Sequence, residues 1–265
     1  MSSINSPDTI KKQYANADGL NIRIRLHQRY SINQQPYFDW VMEHYHIQPG
    51  MKVLELGCGT GVMWGQPERW LPDDARLTLT DLSEGMLAQA RANVPKRENI
   101  SFAQVDIQQI PYDDDSFDLI IANAMLYHVP DLNRALSEAA RVLRPDGRFL
   151  CTTTGDNGMH SWLQAVLGEG ESPHMPFSLQ NGGPALEKHF GRVERIIRED
   201  GLAVTDVDDL VAYVRSTMSF AYVRSWPEEA LRQRLMAEME NGVIRIPKEY
   251  GVFQCCEPIV TKIFD

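Results

Sequence analysis

Cysteine, positive charge and long apolar runs are all scarce in this sequence of 265 residues. Its four cysteines are too few for a disulfide framework. Two of them, Cys255 and Cys256, are adjacent, and neighbouring residues of a strand point to opposite faces, so they are poorly placed to share a metal. We therefore expect reduced thiols that pack as small apolar side chains, and no metal site.

Apolar runs are short as well. Runs such as residues 119–122 fall far below the ~20 residues that a membrane-spanning helix needs. The first residues, MSSINSPDTIKK, lack the apolar stretch of a signal peptide. These two absences predict a cytoplasmic protein that does not enter a membrane.

Positive charge is outweighed by negative charge, and the formal net charge is −10. A protein that binds nucleic acid normally has a basic surface, because neutralisation of phosphates drives that affinity. The basic cluster Arg23, Arg25 and Arg29 is modest, so RNA or DNA is not an expected substrate. Hydrophobic residues at 43% and charged residues at 23% are typical of an ordinary globular protein.

From about residue 51 to 154, short β-rich runs alternate with helical patterns. This alternation predicts βαβ units and a parallel sheet. One helix is predicted from Ser83 to just before Pro95, and another from an Asp131 cap to the Pro145 turn. The five strands predicted in this stretch lie at residues 52–56, 76–80, 100–105, 117–122 and 148–153.

The flanking segments predict further elements. A helix is expected at residues 36–46, and Ser225 and Glu228 form a capping box for a helix that ends at Asn241-Gly242. The other elements are a short helix near 162–167, an amphipathic helix that includes 207–214, and strands at 192–198 and 250–255. We therefore predict an N-terminal helical cover at 1–50, a core at 51–154, and a segment at 155–265 that completes the sheet and supplies a helical lid.

A glycine-rich segment follows the first predicted strand in VLELGCGTG, residues 53–61. Glycines at 57, 59 and 61 let the backbone turn sharply and leave no side chain between it and a ligand. The N–H groups of the helix start that follows would face the ligand. Such a loop is weak evidence when it occurs alone, because glycine turns follow many strands.

Polar residues also stand at the ends of the next three strands. Asp81 lies twenty residues after Gly61, Asp106 follows the third strand, and Asn123 ends the fourth. Asp81 could accept hydrogen bonds from both ribose hydroxyls, since the carboxyl ends of parallel strands line one ligand crevice. Each aspartate alone could equally be a helix cap or a turn residue. Their joint placement favours nucleotide binding.

A nicotinamide-dependent dehydrogenase would share this architecture. Its fingerprint requires a third glycine three positions after the second. Here that position is Val62, and Gly61 comes one residue too early. The dehydrogenase hypothesis is therefore disfavoured.

Four segments occur in a fixed order: VLELGCGTG, TDLSEGML, VDIQQIPYDDDSFDLIIANAMLYHVPD and RVLRPDGRFL. Together they resemble the successive motifs of class I S-adenosylmethionine (SAM)-dependent methyltransferases, most closely the group that includes the ubiquinone and menaquinone biosynthesis methyltransferases. The resemblance covers about residues 51–154. It implies an α/β, Rossmann-like, doubly wound and mostly parallel seven-stranded sheet, with SAM as cofactor and S-adenosylhomocysteine as product.

The same resemblance implies which residues meet the methionine end of the cofactor. Glu55 and the backbone of Gly57, Cys58 and Gly59 would border the methionine part. Asn123 would lie beneath the amino acid moiety and the sulfonium.

For the adenosine end, the resemblance implies four contacts. Asp81 would hold the ribose, and Leu82 would pack on the adenine. Asp106 would meet the adenine amino group, and Ile107 the edge of the ring.

One departure from the family's pattern lies just after the glycine loop. Gly65 and Pro67 fall inside the expected helix, so this helix should be short or kinked. The cofactor contacts of Met63 and Trp64 are therefore not predicted.

His128, just beyond the fourth strand, is the candidate general base, which is needed only if the acceptor arrives protonated. The alternative is that Tyr127-His128 packs the start of the next helix. Two further histidines, His160 and His174, fall in the predicted lid. Five further candidates precede the core: Tyr14, Arg25, His27, Arg29 and Tyr30. They could fold over the cofactor, where an arginine would meet the cofactor's carboxylate. The alternative is that they form a solvated helix face.

These observations predict a SAM-dependent methyltransferase that N-, O- or C-methylates a small molecule. The segments after residue 155 are rich in methionine and aromatic residues, and part of them could line a pocket for an apolar or aromatic acceptor. An RNA or protein methyltransferase and a non-catalytic SAM-binding module are the alternatives. The acceptor, the atom methylated and the oligomeric state are not predicted.

Overall fold

The sheet and its flanking helices are seen in a computed structural model, which describes residues 18–168 and 175–260. The strands are β1 (Lys52–Leu56), β2 (Arg76–Asp81), β3 (Ile100–Gln104), β4 (Phe117–Asn123), β5 (Leu143–Thr154), β6 (Phe190–Val204) and β7 (Ile244–Pro258). The helices are α1 (Asp18–Tyr30), α2 (Tyr37–Glu43), α3 (Glu84–Asn93), α4 (Leu132–Val142), α5 (Met159–Leu167), α6 (Gly182–Leu186), α7 (Val207–Ser216) and α8 (Glu228–Met236).

All seven strands belong to one sheet in the order β3-β2-β1-β4-β5-β7-β6. Strands β1 to β5 pair in parallel, whereas β7 runs antiparallel to both of its neighbours, β5 and β6. The predicted α/β class, with a mostly parallel seven-stranded sheet, is confirmed. The strand order reverses between β1 and β4: β2 and β3 follow on the β1 side, and β5 follows on the β4 side. The connections that leave the ends of β1 and β4 therefore diverge, and a crevice lies between them.

The central strands are covered on both faces, which explains why they read as continuous apolar runs rather than as an alternating pattern. Successive residues of β1 face opposite sides. Leu54 packs with Ile120 in one apolar cluster, whereas Val53 packs with Leu119 and Ile121 in the other. These two clusters hold the strand ends in place.

Local signals set the helix starts that follow the strands. The Ser83 hydroxyl accepts a hydrogen bond from the Met86 amide, and the Asp131 carboxylate accepts one from the Arg134 amide at 2.9 Å. The predicted Asp131 cap is confirmed, and the helix predicted to start near Ser83 begins there with Ser83 as its cap. The helix expected after the glycine loop is short, as predicted, because it is replaced by two 3₁₀ turns, the second of which begins at Pro67.

The predicted capping box of Ser225 and Glu228 is wrong. The Ser225 hydroxyl donates to the Tyr222 carbonyl at 2.9 Å, because the chain before it forms a 3₁₀ helix over Met218–Ser225. Helix α8 begins after Pro227 without a side-chain cap and ends at Met236 rather than at Asn241.

Helix α1 packs on α7, and the two share an apolar cluster with α5, α8 and the ends of β6 and β7. Asp209 of α7 accepts hydrogen bonds from Arg29 and from the Tyr30 hydroxyl, both at 2.7 Å. Segments from both ends of the described chain therefore form one cover. The division at residues 50 and 154 stays a prediction. In residues 18–168 and 175–260, no helix has the length and apolar character needed to cross a bilayer.

Gly61 provides a test of the loop that joins β1 to the first 3₁₀ turn. Its φ is +68°, and an added Cβ would lie 2.8 Å from Val94 Cγ2 and 3.1 Å from Ala90 Cβ. We expect Gly61→Ala to lower the free energy of unfolding by about 2–4 kcal/mol, since backbone strain and overpacking add. Denaturant unfolding measures this change.

Gly50→Ala is the matched control. Gly50 has a φ of +78° but no atom within 4 Å of an added Cβ, so only the backbone cost of about 1 kcal/mol is expected. Equal losses in the two variants would show that the contact of the loop with Val94 and Ala90 is not tight.

Candidate active site

A cavity of about 820 Å³ lies at the carboxyl ends of β1, β2 and β4. One wall is made by the strand ends and the glycine loop. The opposite wall is made by α1, residues 31–38 and the β7 residues Lys248 and Tyr250. Pockets for small ligands occupy ~300–1,000 Å³, so this one has room for a nucleotide-sized molecule and a second small molecule.

The glycine loop presents bare backbone to the cavity. Gly57, Gly59 and Gly61 all have positive φ angles, which side chains disfavour. An added Cβ on Gly57 would lie 3.0 Å from the Met125 side chain. The Cys58 amide donates to the Thr80 carbonyl at 2.7 Å and so fixes the loop against β2. The glycine loop is therefore suited to a ligand that approaches the backbone closely.

Asp81 joins the end of β2 to this loop. One carboxylate oxygen accepts the Gly59 amide at 2.9 Å, and the other accepts the Ser83 amide at 2.8 Å. Burial raises the pKa of Asp81, and these backbone hydrogen bonds oppose that rise. Each oxygen keeps a lone pair for a ligand hydroxyl, and Asp81 lines the cavity, so a ribose fits here.

The predicted adenosine residues line the same part of the cavity. The Asp106 carboxylate accepts the Gln108 amide at 2.8 Å and shapes the turn after β3. Leu82 and the buried Ile107 also contribute to the lining. The structure therefore brings the sequence-predicted polar and apolar residues together, while their individual roles stay predictions.

Glu55 is buried at the base of the cavity, with 2% of its surface exposed. It accepts hydrogen bonds from Trp64 Nε1 at 2.5 Å and from Asn123 Nδ2 at 3.0 Å. The Asn123 amide also lies 2.5 Å from the Tyr45 hydroxyl. Burial is the largest effect on Glu55 and raises its pKa to about 7, against the two hydrogen bonds that lower it. The site thus holds a carboxyl group that can titrate near neutral pH.

Trp64 is a residue that the sequence analysis left without a role. Its side chain is fully buried and orients Glu55 through the hydrogen bond from Nε1. The neighbouring Met63 lines the cavity. No local pattern shows this, because the 3₁₀ turn that aims Trp64 at Glu55 depends on how Gly65 and Pro67 shorten the helix.

His128 ends a 3₁₀ turn over Leu126–His128 and lines the cavity. Its ring lies 4.5 Å from the Tyr127 ring, centroid to centroid. Burial, assisted by the positive charge of Arg23, lowers the pKa of His128 to about 4. The imidazole is therefore neutral at physiological pH.

The covering wall includes residues that the sequence analysis did not select as site residues. They are Arg23, Tyr37, Tyr213, Lys248 and Tyr250, and they lie beside His27, which had been a candidate. They come from four separate segments of the chain. Only the tertiary arrangement of α1, α7 and β7 brings them together.

Several other candidates lie elsewhere. Arg29 pairs with Asp209 and Arg25 is exposed, and neither residue lines this cavity. The ring of His160 packs against Phe220 with the centroids 5.0 Å apart. Tyr14 and His174 lie outside the described residues.

The cysteines are unpaired thiols. Cys151 and Cys255 are buried, whereas Cys58 and Cys256 are partly exposed. Across the two described ranges, no group of three or more histidine, cysteine, aspartate or glutamate side chains is placed to hold a metal ion.

Comparison with known proteins finds a matching domain within this chain. Residues 54–151 match the family model for a methyltransferase domain. The methyltransferase GfsG of Streptomyces halstedii is 30% identical over 180 residues, which is 66% of this chain and 61% of that protein. The demethylmenaquinone methyltransferase of Shouchella clausii is 32% identical over 149 residues, 56% of this chain and 61% of that protein. The chain thus spans about three fifths of the length of these relatives.

The fold comparison agrees with this result. A SAM-dependent methyltransferase from Aquifex aeolicus superimposes with a TM-score of 0.51 and 19% identity, covering 66% of this chain and 91% of that one. The matched region contains the glycine loop, Asp81, Asp106 and Asn123, the same residues that line the cavity. Residues 54–151 therefore form a methyltransferase domain, and the sequence matches support a class I SAM-dependent methyltransferase of the group that includes the ubiquinone and menaquinone biosynthesis methyltransferases.

Proposed function

We propose that this chain transfers the methyl group of SAM to a small-molecule acceptor held in the cavity. The observation that carries the proposal is the convergence of the glycine loop, Glu55 and Asp81 on one face of a cavity whose other face is aromatic and polar. The names of the relatives, one of which acts on demethylmenaquinone, support methyl transfer and a small acceptor.

In this proposal the strand ends hold the cofactor. The Asp81 carboxylate accepts the ribose hydroxyls, and Asp106 and Ile107 border the adenine with Leu82. At the other end, Glu55 and Asn123 border the methionine part, next to the backbone of Gly57, Cys58 and Gly59. Their positions in the cavity support these roles, because the polar groups lie in the order of the nucleotide from β3 to β1.

SAM supplies a methyl group on a sulfonium, which is activated for in-line attack. The protein's contribution is then to align the acceptor and exclude water, and alignment can lower the barrier by roughly 7–11 kcal/mol at most. The acceptor's electron pair forms the new bond to the methyl carbon as the carbon–sulfur pair returns to sulfur.

We propose that His128 borders the acceptor. Its neutral ring can accept a hydrogen bond or a proton, but a histidine with a pKa of about 4 is a weak base. The best acceptor for this site is therefore one that is already acidic or ionised.

A small acceptor fits better than a macromolecule. Helix α1 and residues 31–38 cover the cavity, and much of its facing wall is aromatic. With a net charge of −10, the chain also lacks the overall basic character that would attract RNA.

The test is to incubate the purified protein with methyl-labelled SAM and a cell extract divided into dialysable and macromolecular fractions. Label in the dialysable fraction is expected. Label only in RNA or protein would contradict the small-molecule acceptor, and SAM binding without any transfer would indicate a binding module.

Asp81→Asn tests the cofactor site. An amide offers one acceptor oxygen where two are used, so the Gly59 or Ser83 contact and a ribose contact are lost together. We expect the dissociation constant for S-adenosylhomocysteine to rise about tenfold or more in calorimetry.

Asp146→Asn is the matched control, because it removes the same charge from an exposed position of β5 outside the cavity. It should bind like the wild type. Unchanged affinity in Asp81→Asn, with the fold intact by circular dichroism, would argue against the proposed cofactor position.

Glu55→Gln tests the buried carboxyl group. The folded-state pKa of about 7 lies above the unfolded value of 4.5, so the native state favours the protonated form. The stability due to this group is complete below pH 4.5 and is lost as the pH rises to about 7. A neutral glutamine avoids that loss.

Between pH 5 and pH 8, the free energy of unfolding of Glu55→Gln should therefore rise relative to that of the wild type by roughly 2–3 kcal/mol. Urea unfolding at several pH values measures the difference, and the exposed Glu68→Gln serves as control. A difference that does not change with pH would mean that Glu55 is ionised throughout this range.

A further inference from the structure

The two walls of the cavity differ in charge. All three carboxyl groups that line it, those of Glu55, Asp81 and Asp106, belong to the strand ends. The covering wall contributes two cations, Arg23 and Lys248, and its described part contributes no carboxylate. The half of the cavity proposed for the acceptor is therefore the positive half.

A buried ion cluster behind this wall does not cancel the charge. Lys248 Nζ lies 2.5 Å from the Asp200 carboxylate, and Arg198 Nε lies 3.7 Å from the same carboxylate. The three side chains are at most 2% exposed. Two cations thus share one anion, and Arg198 Nε and Nη1 have no hydrogen-bond partner.

Arg23 adds a further positive charge. Its Nη1 donates to the Ser216 carbonyl at 3.0 Å, which ties α1 to the end of α7. In the part of the chain that the structure describes, Arg23 forms no ion pair. Arg23 also lines the cavity. Burial is the largest cause that lowers the pKa values of His27 and His128, and the positive charge of Arg23 lowers both further.

His27 supplies an unused polar atom at the same wall. Its ring meets the rings of Tyr213 and Tyr250 edge-on, at centroid distances of 5.8 and 5.9 Å. Nε2 lies 3.4 Å from the Tyr250 hydroxyl, whereas Nδ1 is buried without a hydrogen-bond partner.

Aromatic rings flank this polar atom. Tyr250 also packs against Tyr37, with the ring centroids 5.4 Å apart, and Tyr127 and Phe38 contribute further rings to the lining. Flat aromatic faces favour a planar ligand, which can stack or pack edge-on against them.

We propose that the methyl acceptor is a planar aromatic anion, with the Arg23 guanidinium as its counter-charge. This inference rests on the proposed function, because it assigns a chemical class to the acceptor of that site. An acceptor ionised at the attacking atom has no proton to lose, so its electron pair attacks the methyl carbon without help from a strong base. That requirement agrees with the low basicity of His128.

The test measures binding of matched probes by calorimetry, with and without saturating S-adenosylhomocysteine. The first pair is 2-naphthoate and its neutral isostere 2-naphthamide, which tests a carboxylate. The second is 4-nitrophenolate and neutral 4-nitroanisole, which tests an ionised phenol. The cation 2-naphthylmethylammonium tests the opposite charge.

We expect the wild type to prefer the anion of at least one pair by about tenfold or more, the size that a charge-assisted hydrogen bond supplies. Arg23→Gln should abolish that preference and leave the affinity for S-adenosylhomocysteine unchanged. Arg23→Lys, which keeps the charge, should retain most of the preference. Arg25→Gln, the same change at an exposed position of the same helix, should behave like the wild type.

Three results would overturn the inference: no anion binding or no anion preference in the wild type, tighter binding of the ammonium probe, or loss of S-adenosylhomocysteine affinity in Arg23→Gln. The last would assign Arg23 to the cofactor's carboxylate. Failure of the wild type to bind S-adenosylhomocysteine would instead contradict the proposed function, and the titrations without it would still report on the charge preference.

Discussion

The hydrogen bond from the Gly59 amide to the Asp81 carboxylate connects the two strand ends on which the cofactor half of the cavity is built. Together with the hydrogen bond from the Cys58 amide to the Thr80 carbonyl, it fixes a loop whose glycines contribute no side chains to pack. The second Asp81 oxygen binds the Ser83 amide and so sets the start of α3. A single carboxylate therefore determines the spacing between the bare backbone and the ribose position.

The opposite wall is held together by different forces. Arg23, the Tyr30–Asp209 hydrogen bond and a shared apolar cluster fasten α1 to α7. Ser31, directly after α1, is hydrogen-bonded to the Lys248–Asp200 pair and so ties this region to β6 and β7. The hydrogen bonds between α1 and α7 join residues that are 179 and 193 positions apart along the chain. The rigid strand ends thus face a wall that depends on long-range contacts.

This contrast explains how far the sequence could predict the structure. The strands, the helix start at Ser83, the Asp131 cap and the glycine loop depend on local residue patterns, so they could be predicted. The polar strand ends could be placed together as well, because parallel strands share one edge. The Ser225 capping box failed because an unforeseen 3₁₀ helix uses that hydroxyl. Arg23, Lys248 and Tyr250 carry no local signal, since their common location depends on how β7 enters the sheet and how α1 folds back.

The position of β7 has a consequence for the order in which the cavity forms. This last strand inserts between β5 and β6 rather than adding to an edge, so the sheet is interrupted until it arrives. On the ribosome, the glycine loop and Asp81 emerge well before Lys248 and Tyr250, and proteins can begin to fold during synthesis. A nascent chain would then form the nucleotide-binding strand ends before it forms the aromatic wall. Insertion of β7 would be the step that encloses the cavity.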